Sequence, residues 1–244
     1  MDIGKSLAYA FEDNRWINKL GIGALISFVP ILNFAWVGYY IEIMRNVLDG
    51  QAAPLPEWHD LGKNFKDGLL VTIAAFLYTL PGLLFLILPI GIMFIPALIQ
   101  DSDIQGGIAA VTTLTGVVLI CCIGLYFLLF SFVFPAIQLR FAQIGTFRSC
   151  FELREIIKMI STQIGDYLVC WLTTLVAGLV IGVVLMMVSL FVGWIPCLGQ
   201  TIVWVFSLIA GVWASTVYAH IFGQFGLRLI VESAELIQPQ EISS

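Results

Sequence analysis

Few side chains in this sequence have the types and spacing that acid–base or metal chemistry needs. Glu57, His59 and Asp60 form a small polar cluster after a proline-rich loop. An enzyme needs a nucleophile and a base, or metal ligands, within reach of one another. The second histidine is His220, and neither a His-Glu-x-x-His nor a Cys-x-x-Cys pattern occurs. The sequence therefore predicts a non-enzyme with no catalytic residue, no metal site and no cofactor. We interpret the cluster as the solvated face of a helix.

Two further positions could hold a charge or a proton beside apolar segments. Glu42 and Arg45 are three residues apart on a predicted helix, a spacing that allows an ion pair. We expect this pair at the cytoplasmic membrane interface, and a functional ion pair is the alternative. His220 lies near the cytoplasmic end of the last apolar helix, where it is a proton-sensitive switch, a hydrogen-bond partner of a neighbouring helix or a residue that reaches the lipid headgroups. Gln138 and Gln224 are interpreted in the same way.

The elements that must position these residues are long apolar segments. Hydrophobic residues make up 60% of the chain and charged residues 11%, and the mean hydropathy is +0.99. Segments 69–100, 104–139 and 167–219 contain no Asp, Glu, Lys or Arg, and each is longer than the ~20 residues that cross a bilayer. The composition predicts an all-α integral membrane protein. A net charge of −5 argues against a nucleic-acid partner.

The positions of Lys and Arg predict the topology. Connectors 29–33, 101–107 and 193–200 contain neither residue, whereas cytoplasmic loops are normally enriched in both. We therefore predict a multi-pass protein of the cell inner (plasma) membrane with both termini cytoplasmic. Segment 16–48 has basic residues on both flanks, so it must return to its starting side, and we predict a hairpin folded at Pro30. Each arm would be about 22 Å long, which leaves full crossing and re-entrance as alternatives.

The sequence predicts one membrane domain, 1–244, with about six transmembrane or re-entrant helices in three hairpins. Amphipathic helices lie between the hairpins on the cytoplasmic side, and we expect the prolines of the second hairpin to kink or end its first arm. Trp58 and Phe65 of the first amphipathic helix, and Phe147 and Phe151 of the second, are predicted to lie at the membrane interface. The segments are a short hairpin at 16–48, an amphipathic helix at 57–68, a second hairpin at 69–138, an amphipathic helix at 146–165, a third hairpin at 167–226 and an acidic cytoplasmic tail at 227–244.

Small residues recur every fourth position on both arms of the third hairpin. This spacing lets membrane helices approach closely. We predict that these residues pack the two arms together, and a seam towards a second copy or a partner subunit is the alternative. The small-residue stripe comprises Gly178 and Gly182 on one arm and Ser207, Gly211, Ser215, Ala219 and Gly223 on the other.

Several segments together resemble a known family. They are the short first hairpin, the Pro-Leu-Pro-Glu-Trp loop at 54–58, the segment 151–156 and the Gly-Asp-Tyr-Leu segment at 165–168. The chain resembles, over nearly its whole length, the bacterial and archaeal membrane proteins called domain of unknown function 4013. His59 stands where the family pattern leads us to expect an acidic residue. The resemblance implies a multi-span membrane protein and brings no activity and no catalytic residues.

These observations favour a non-enzymatic membrane scaffold or complex subunit. It would self-associate as a homo-oligomer, or bind other membrane subunits or membrane lipid, through its amphipathic helices and small-residue stripe. The alternative is a transporter or channel for an apolar or lipid-like solute, because proline-broken helices line such paths.

Overall fold

The structure is a computed structural model that describes residues 3–51, 55–95, 102–196 and 198–241. Within those ranges every regular element is a helix, so the predicted all-α class is confirmed. A 3-10 helix, Phe147–Phe151, lies between the fifth and sixth α-helices. The α-helices are α1 (Ile3–Glu12), α2 (Trp16–Phe28), α3 (Asn33–Leu48), α4 (Leu61–Met93), α5 (Ser102–Ile144), α6 (Leu153–Thr162), α7 (Ile164–Val192) and α8 (Leu198–Glu241).

Four of these helices contain segments long and apolar enough to cross a membrane. They are Leu61–Ile92, Gly106–Ile144, Ile164–Val192 and Leu198–Ser233. At most 22% of the residues in the most apolar stretch of each are buried within the chain, and in α7 none is. A soluble protein does not expose apolar surface on this scale, so the chain is a membrane protein.

The chain divides into two compact units, Met1–Thr72 with Ala136–Ser244, and Ile73–Pro135. In the second unit, Gly82 of α4 lies against the rings of Tyr126 and Phe127 of α5, and the Tyr126 hydroxyl donates to the Tyr78 carbonyl. The first unit contains the buried aromatic core, which α3 and α8 supply with contributions from their neighbours. Its largest fully buried side chains include Tyr39, Met44, Phe141, Tyr167, Phe222 and Phe225.

The first apolar segment is a helical hairpin. A turn at 29–32 joins α2 to α3, with the Asn33 N–H donating to the Val29 carbonyl at 3.0 Å. The Trp36 indole lies against Gly23 and leaves no room there for a side chain, so the two arms are closely packed. At 13 and 16 residues the arms are about 20 Å and 24 Å long, shorter than the ~30 Å hydrocarbon core. Full crossing and re-entrance remain the alternatives for this hairpin.

The predicted separate amphipathic helix at 57–68 is corrected by the structure. Trp58 precedes the helix, and α4 begins at Leu61 and continues without interruption into the membrane-spanning segment. The Asp60 side chain accepts a hydrogen bond from the Lys63 N–H at 2.9 Å, as a helix N-cap does. No helix-breaking proline lies between that cap and the apolar residues, so the amphipathic turns and the span form one helix.

The predicted amphipathic helix at 146–165 is also corrected, because it is two helices. Glu152 has a non-helical backbone (φ −77°, ψ 61°) and separates the 3-10 helix Phe147–Phe151 from α6. Its carboxylate accepts a hydrogen bond from Arg140 of α5 at 2.7 Å, which holds this break against the end of α5. Gly145, with φ +75°, turns the chain out of α5 in a conformation that favours glycine.

The long helices extend further than the sequence predicted. Pro81 and Pro89 lie inside α4, and the helix continues through both of them. Pro96 lies outside the described residues. Proline is tolerated inside membrane helices because neighbouring groups satisfy the freed backbone carbonyls. Likewise α5 continues past Pro135 to Ile144, and α8 continues to Glu241 through most of the predicted tail at 227–244.

Candidate functional site

Two clusters of ion-paired residues lie in the first unit. The Arg45 cluster consists of Glu42, Arg45, Lys63 and Asp67. One guanidinium nitrogen of Arg45 lies 2.9 Å from Glu42 and 2.5 Å from Asp67, and the Lys63 ammonium lies 2.9 Å from Glu42. The predicted Glu42–Arg45 pair is thus part of a four-residue network. Lys63 and Asp67 were not predicted as part of this site, although their i, i+4 spacing places both on one face of α4.

Arg45 ties three helices together. Besides its carboxylate partners on α3 and α4, its Nε donates to the Ala142 carbonyl of α5 at 3.1 Å. The guanidinium also lies over the Phe141 ring, 5.7 Å from its centroid, within cation–π range. The side chain is largely buried, so the cluster is a structural junction where α3, α4 and α5 meet.

The Lys19 cluster consists of Asp13, Lys19 and Glu57. The buried Lys19 ammonium lies 2.7 Å from Asp13 and 3.0 Å from Glu57, and it donates to the Leu55 carbonyl at 2.9 Å. The Trp58 indole N–H donates to the Lys19 carbonyl at 3.0 Å. These contacts fasten the loop at 55–60 to the first turn of α2.

Acidic pH is expected to weaken the Lys19 cluster. Burial acts to raise the pKa of Asp13, but hydrogen bonds from the Lys19 ammonium and the Arg15 N–H outweigh it and hold this pKa below its usual range. Lys19 likewise lowers the pKa of Glu57. A carboxyl whose pKa is lower in the folded state stabilises the fold above its unfolded pKa, about 4, and loses that contribution as the pH falls further.

We therefore expect the melting temperature in detergent to fall between about pH 5 and pH 3, and to fall less in Asp13→Asn. Thermal unfolding followed by circular dichroism across that range measures the effect. Glu12→Gln, at an exposed position beside the cluster, is the matched control and should follow the parent protein. An acid slope in Asp13→Asn as steep as that of the parent would contradict the assignment.

A polar cleft of about 730 Å³ lies beside both clusters. It contains the predicted trio Glu57, His59 and Asp60, all exposed. Among the described residues, no three His, Cys, Asp or Glu side chains lie close enough together to hold a metal ion. Its lining also includes Glu12, Asp13, Asn14, Arg15, Lys19, Glu42, Asn46, Gln51, Leu55, Pro56, Lys63 and Asn64.

The uncharged polar candidates lie in two buried networks. The Gln138 amide donates to the Tyr40 hydroxyl at 2.7 Å and accepts from the Tyr218 hydroxyl, which links α5 to α3 and α8. His220 lies 2.9 Å from the Ser6 hydroxyl and 3.2 Å from the Gln224 amide. Hydrogen bonding to a neighbouring helix, one of the predicted alternatives for His220, is therefore present, and its role as a proton switch stays a prediction.

The four predicted interfacial aromatic residues occupy different surroundings. Trp58 stacks on Tyr39, with ring centroids 4.2 Å apart, and is held within the first unit. Phe65 meets the Phe34 ring edge-on at 5.8 Å. Phe147 and Phe151 meet edge-on at 5.2 Å, and Phe151 is exposed.

The small-residue stripe has two parts with different surroundings. Gly223 of α8 lies against Val47 of α3, and the Ser215 hydroxyl accepts a hydrogen bond from the Trp36 indole at 3.0 Å. Ala219, between them on the stripe, is fully buried. This part packs on the first hairpin, a contact that the sequence did not predict. Ser215 also lines the groove between α7 and α8, and these two helices are in contact, so packing of the two arms of the third hairpin through the stripe stays a prediction.

The other part of the stripe is open. Gly178, Gly182 and Gly211 are exposed, and a methyl group added to any of them would meet no neighbour within 4 Å. Ser207 donates to the Val203 carbonyl within its own helix. Gly178 lines a shallow groove of about 240 Å³ that α7 and α8 form together.

The sequence did not predict the close crossing of α3 with α4. A Cβ atom on Gly38 of α3 would overlap the Asn64 carbonyl of α4, and one on Gly68 would overlap the Phe34 carbonyl. The two backbones are therefore in direct contact. A glycine in each helix near the predicted charge pair was the available signal.

These features define an α-helical membrane protein in which two clusters of ion-paired residues link neighbouring helices and loops. The family model described as protein of unknown function (DUF4013) matches residues 22–190, and the chain belongs to that family. The resemblance predicted from the sequence is confirmed. The matched region includes the whole Arg45 cluster. Comparison with curated proteins and with solved structures gave no match.

Proposed function

We propose that this protein is a non-enzymatic membrane scaffold or complex subunit that self-associates or binds other membrane proteins or lipid. The observation that carries the proposal is the open part of the small-residue stripe. Gly178, Gly182 and Gly211 present exposed backbone with no neighbour within 4 Å of an added methyl group. In membranes, helices associate through such close approaches, because lipid removes the hydrophobic drive between helices.

The remaining surface supports the same role. No residue in the most apolar stretch of α7 is buried within the chain, so a second helix has free access to the Gly178–Gly182 face. The charged residues of the two clusters are engaged with one another, which suits a structural junction better than a reaction centre.

We propose a multi-pass topology in the inner membrane with both termini cytoplasmic. The Lys19 and Arg45 clusters then lie on the cytoplasmic side, in agreement with the enrichment of basic residues there. The turn at 193–196 would face the opposite side, and the turn at 29–32 would do so if the first hairpin crosses fully.

Self-association is expected to depend on the open glycines. Gly178→Leu/Gly182→Leu fills the close-approach surface and should weaken dimerisation in mild detergent or lipid vesicles by about tenfold or more, since each lost 1.4 kcal/mol is tenfold. Single-molecule photobleaching of labelled protein across a range of protein-to-lipid ratios measures the dissociation constant.

The matched control is Gly124→Leu on α5, a glycine that also has open space around it but lies outside the stripe. It should associate as the parent does. A parent protein that is monomeric at every ratio would refute self-association. Equal dissociation constants for the parent and the double variant would refute the seam.

A second candidate function is favoured by an apolar groove of about 380 Å³ between α2 and α8. Such a groove suits an acyl chain or another apolar solute, as a transporter of lipid-like molecules requires. Transfer of a fluorescent lipid across vesicles containing the purified protein separates the two candidates, because a scaffold leaves transfer at the lipid-only rate. The groove is lined by Phe11, Trp16, Ile17, Leu20, Gly21, Ala24, Ile209, Val212 and Trp213.

A further inference from the structure

We infer that α6 binds anionic phospholipid at the membrane surface through Arg154 and Lys158, with Leu153 and Ile157 inserted beside the acyl chains. The inference rests on the proposed membrane role and narrows its lipid partner to a class and a place. Three observations on α6 support it. Buried apolar, exposed apolar, basic and acidic residues lie on four different sides of the helix. The helix also continues almost directly into the membrane-spanning helix α7, and its basic residues have no ion pair among the described residues.

The first observation is the arrangement of side chains around α6. Ile156 and Ile160 are buried, so this side of the helix packs against the rest of the first unit. Leu153 and Ile157 lie on the adjacent side and are 47% and 59% exposed. Neighbouring exposed apolar residues of this kind, rimmed by polar ones, are typical of a surface that contacts a membrane or another protein.

The polar residues continue this order around the helix. At about 100° per residue, Arg154 and Lys158 lie about 100° from Leu153 and Ile157, and Glu155 lies opposite the apolar pair. A basic edge beside an apolar edge, with the acidic residue turned away, is the arrangement of a helix that lies in the headgroup region.

The second observation is continuity with a membrane-spanning segment. α6 ends at Thr162 and α7 begins at Ile164, with Gln163 between them. Ile164 and Leu168, in the first turns of α7, are exposed like Ile157. Lipid that covers the start of α7 therefore reaches the exposed apolar edge of α6, which places that helix at the membrane boundary.

The third observation is the distribution of paired and unpaired cations. Lys19, Arg45 and Arg140 have carboxylate partners within 4.0 Å. In the described ranges, Arg154 and Lys158 have no ion pair within that distance. Glu152, the acid next to α6 in sequence, is already engaged by Arg140 at 2.7 Å. Two available cations beside an exposed apolar edge match a phosphate group above an acyl chain in both charge and polarity.

The test measures lipid preference with the full-length protein in mixed micelles of phosphatidylglycerol and phosphatidylcholine. Native mass spectrometry counts the lipids retained on the monomeric species. We expect the parent to retain phosphatidylglycerol about tenfold over phosphatidylcholine, and Arg154→Gln/Lys158→Gln to lose most of that preference while its melting temperature stays within the error of the parent.

Lys66→Gln is the matched control. Lys66 is an exposed cation of α4 that, among the described residues, also has no ion pair within 4.0 Å, and its variant should keep the full preference. Equal loss in Lys66→Gln would show a general charge effect and overturn the inference. An unchanged preference in the double variant would do the same. Displacement of the bound lipid by an equal concentration of glycerol 3-phosphate would assign the site to a free phosphate.

A second measurement reports depth instead of charge. A polarity-sensitive fluorophore on Ile157→Cys should emit at shorter wavelength in vesicles than one on Thr162→Cys, which lies on the opposite side of α6. Equal emission from the two labels would overturn insertion of the apolar edge. Both readouts are independent of Gly178 and Gly182, so failure of self-association and failure of lipid binding are distinguishable.

Discussion

Gly38→Ala and Gly68→Ala should each lower the free energy of unfolding by about 3 kcal/mol or more. Alanine in a helix interior is normally the better residue by about 1 kcal/mol, so the expected sign is opposite to that of propensity. The physical reason is the direct backbone contact of α3 with α4. A methyl group on Gly38 would overlap the Asn64 carbonyl, and one on Gly68 would overlap the Phe34 carbonyl.

Backbone atoms cannot rotate away as a flexible side chain can. Either variant must therefore push the two helices apart, which also stretches the Arg45–Asp67 contact between them. Unfolding in mixed micelles by titration with sodium dodecyl sulfate, followed by circular dichroism, measures the change in free energy.

Gly21→Ala is the matched control for this prediction. Gly21 lies inside α2 with no neighbour within 4 Å of an added methyl group, so alanine there should be neutral or slightly stabilising. If Gly38→Ala and Gly68→Ala unfold at the same detergent fraction as Gly21→Ala, the two backbones are not in contact as the structure has them.

Arg45→Ala is expected to destabilise the protein by about 3 kcal/mol. The substitution leaves Asp67, which is 11% exposed, without its cationic partner, and removes the hydrogen bond to the Ala142 carbonyl. A mostly buried carboxylate that loses its partner retains its desolvation cost. Arg45→Lys should recover only part of the loss, because a lysine has one nitrogen, whereas arginine uses one nitrogen for Glu42 and Asp67 and a second, Nε, for the Ala142 carbonyl.

The contrasting variant is Arg228→Ala. Arg228 pairs with Asp166 in an ion pair whose side chains are 51% and 41% exposed, so its removal should cost less than about 1 kcal/mol. The same detergent titration compares the three variants. Similar losses from Arg45→Ala and Arg228→Ala would mean that burial adds nothing to the Arg45 cluster.

The helical class and the first hairpin were predictable because lipid leaves few options. Backbone groups in hydrocarbon must be satisfied within helices, so long apolar segments had to be helical. The absence of basic residues around Pro30, with basic residues on both sides, predicted the fold-back that the structure places at 29–32. Helix ends were less predictable. In a soluble protein Pro81 and Pro89 would indicate breaks in the helix, but α4 continues through both.

The candidate site was predictable only within one helix at a time. The Glu42–Arg45 pair follows from i, i+3 spacing on α3. Asp67 joins it through the crossing of α3 with α4, which no local pattern encodes. Small residues indicate where another helix can approach closely, but they do not indicate which helix. The stripe therefore indicated a close contact at Gly223, whereas its partner, Val47 of α3, could not be predicted.

The pairing of the first hairpin with α8 has a consequence for biosynthesis. Trp36 donates its indole hydrogen bond to Ser215, 179 residues later in the chain. At about 5–20 residues per second, a ribosome supplies that acceptor roughly 10–35 s after Trp36 is made. During this interval the hairpin must rest in the membrane with its inner face uncovered, a vulnerable stage for degradation. Insertion of α8 ends that interval, so the packing of the first hairpin is completed only when α8 has been made.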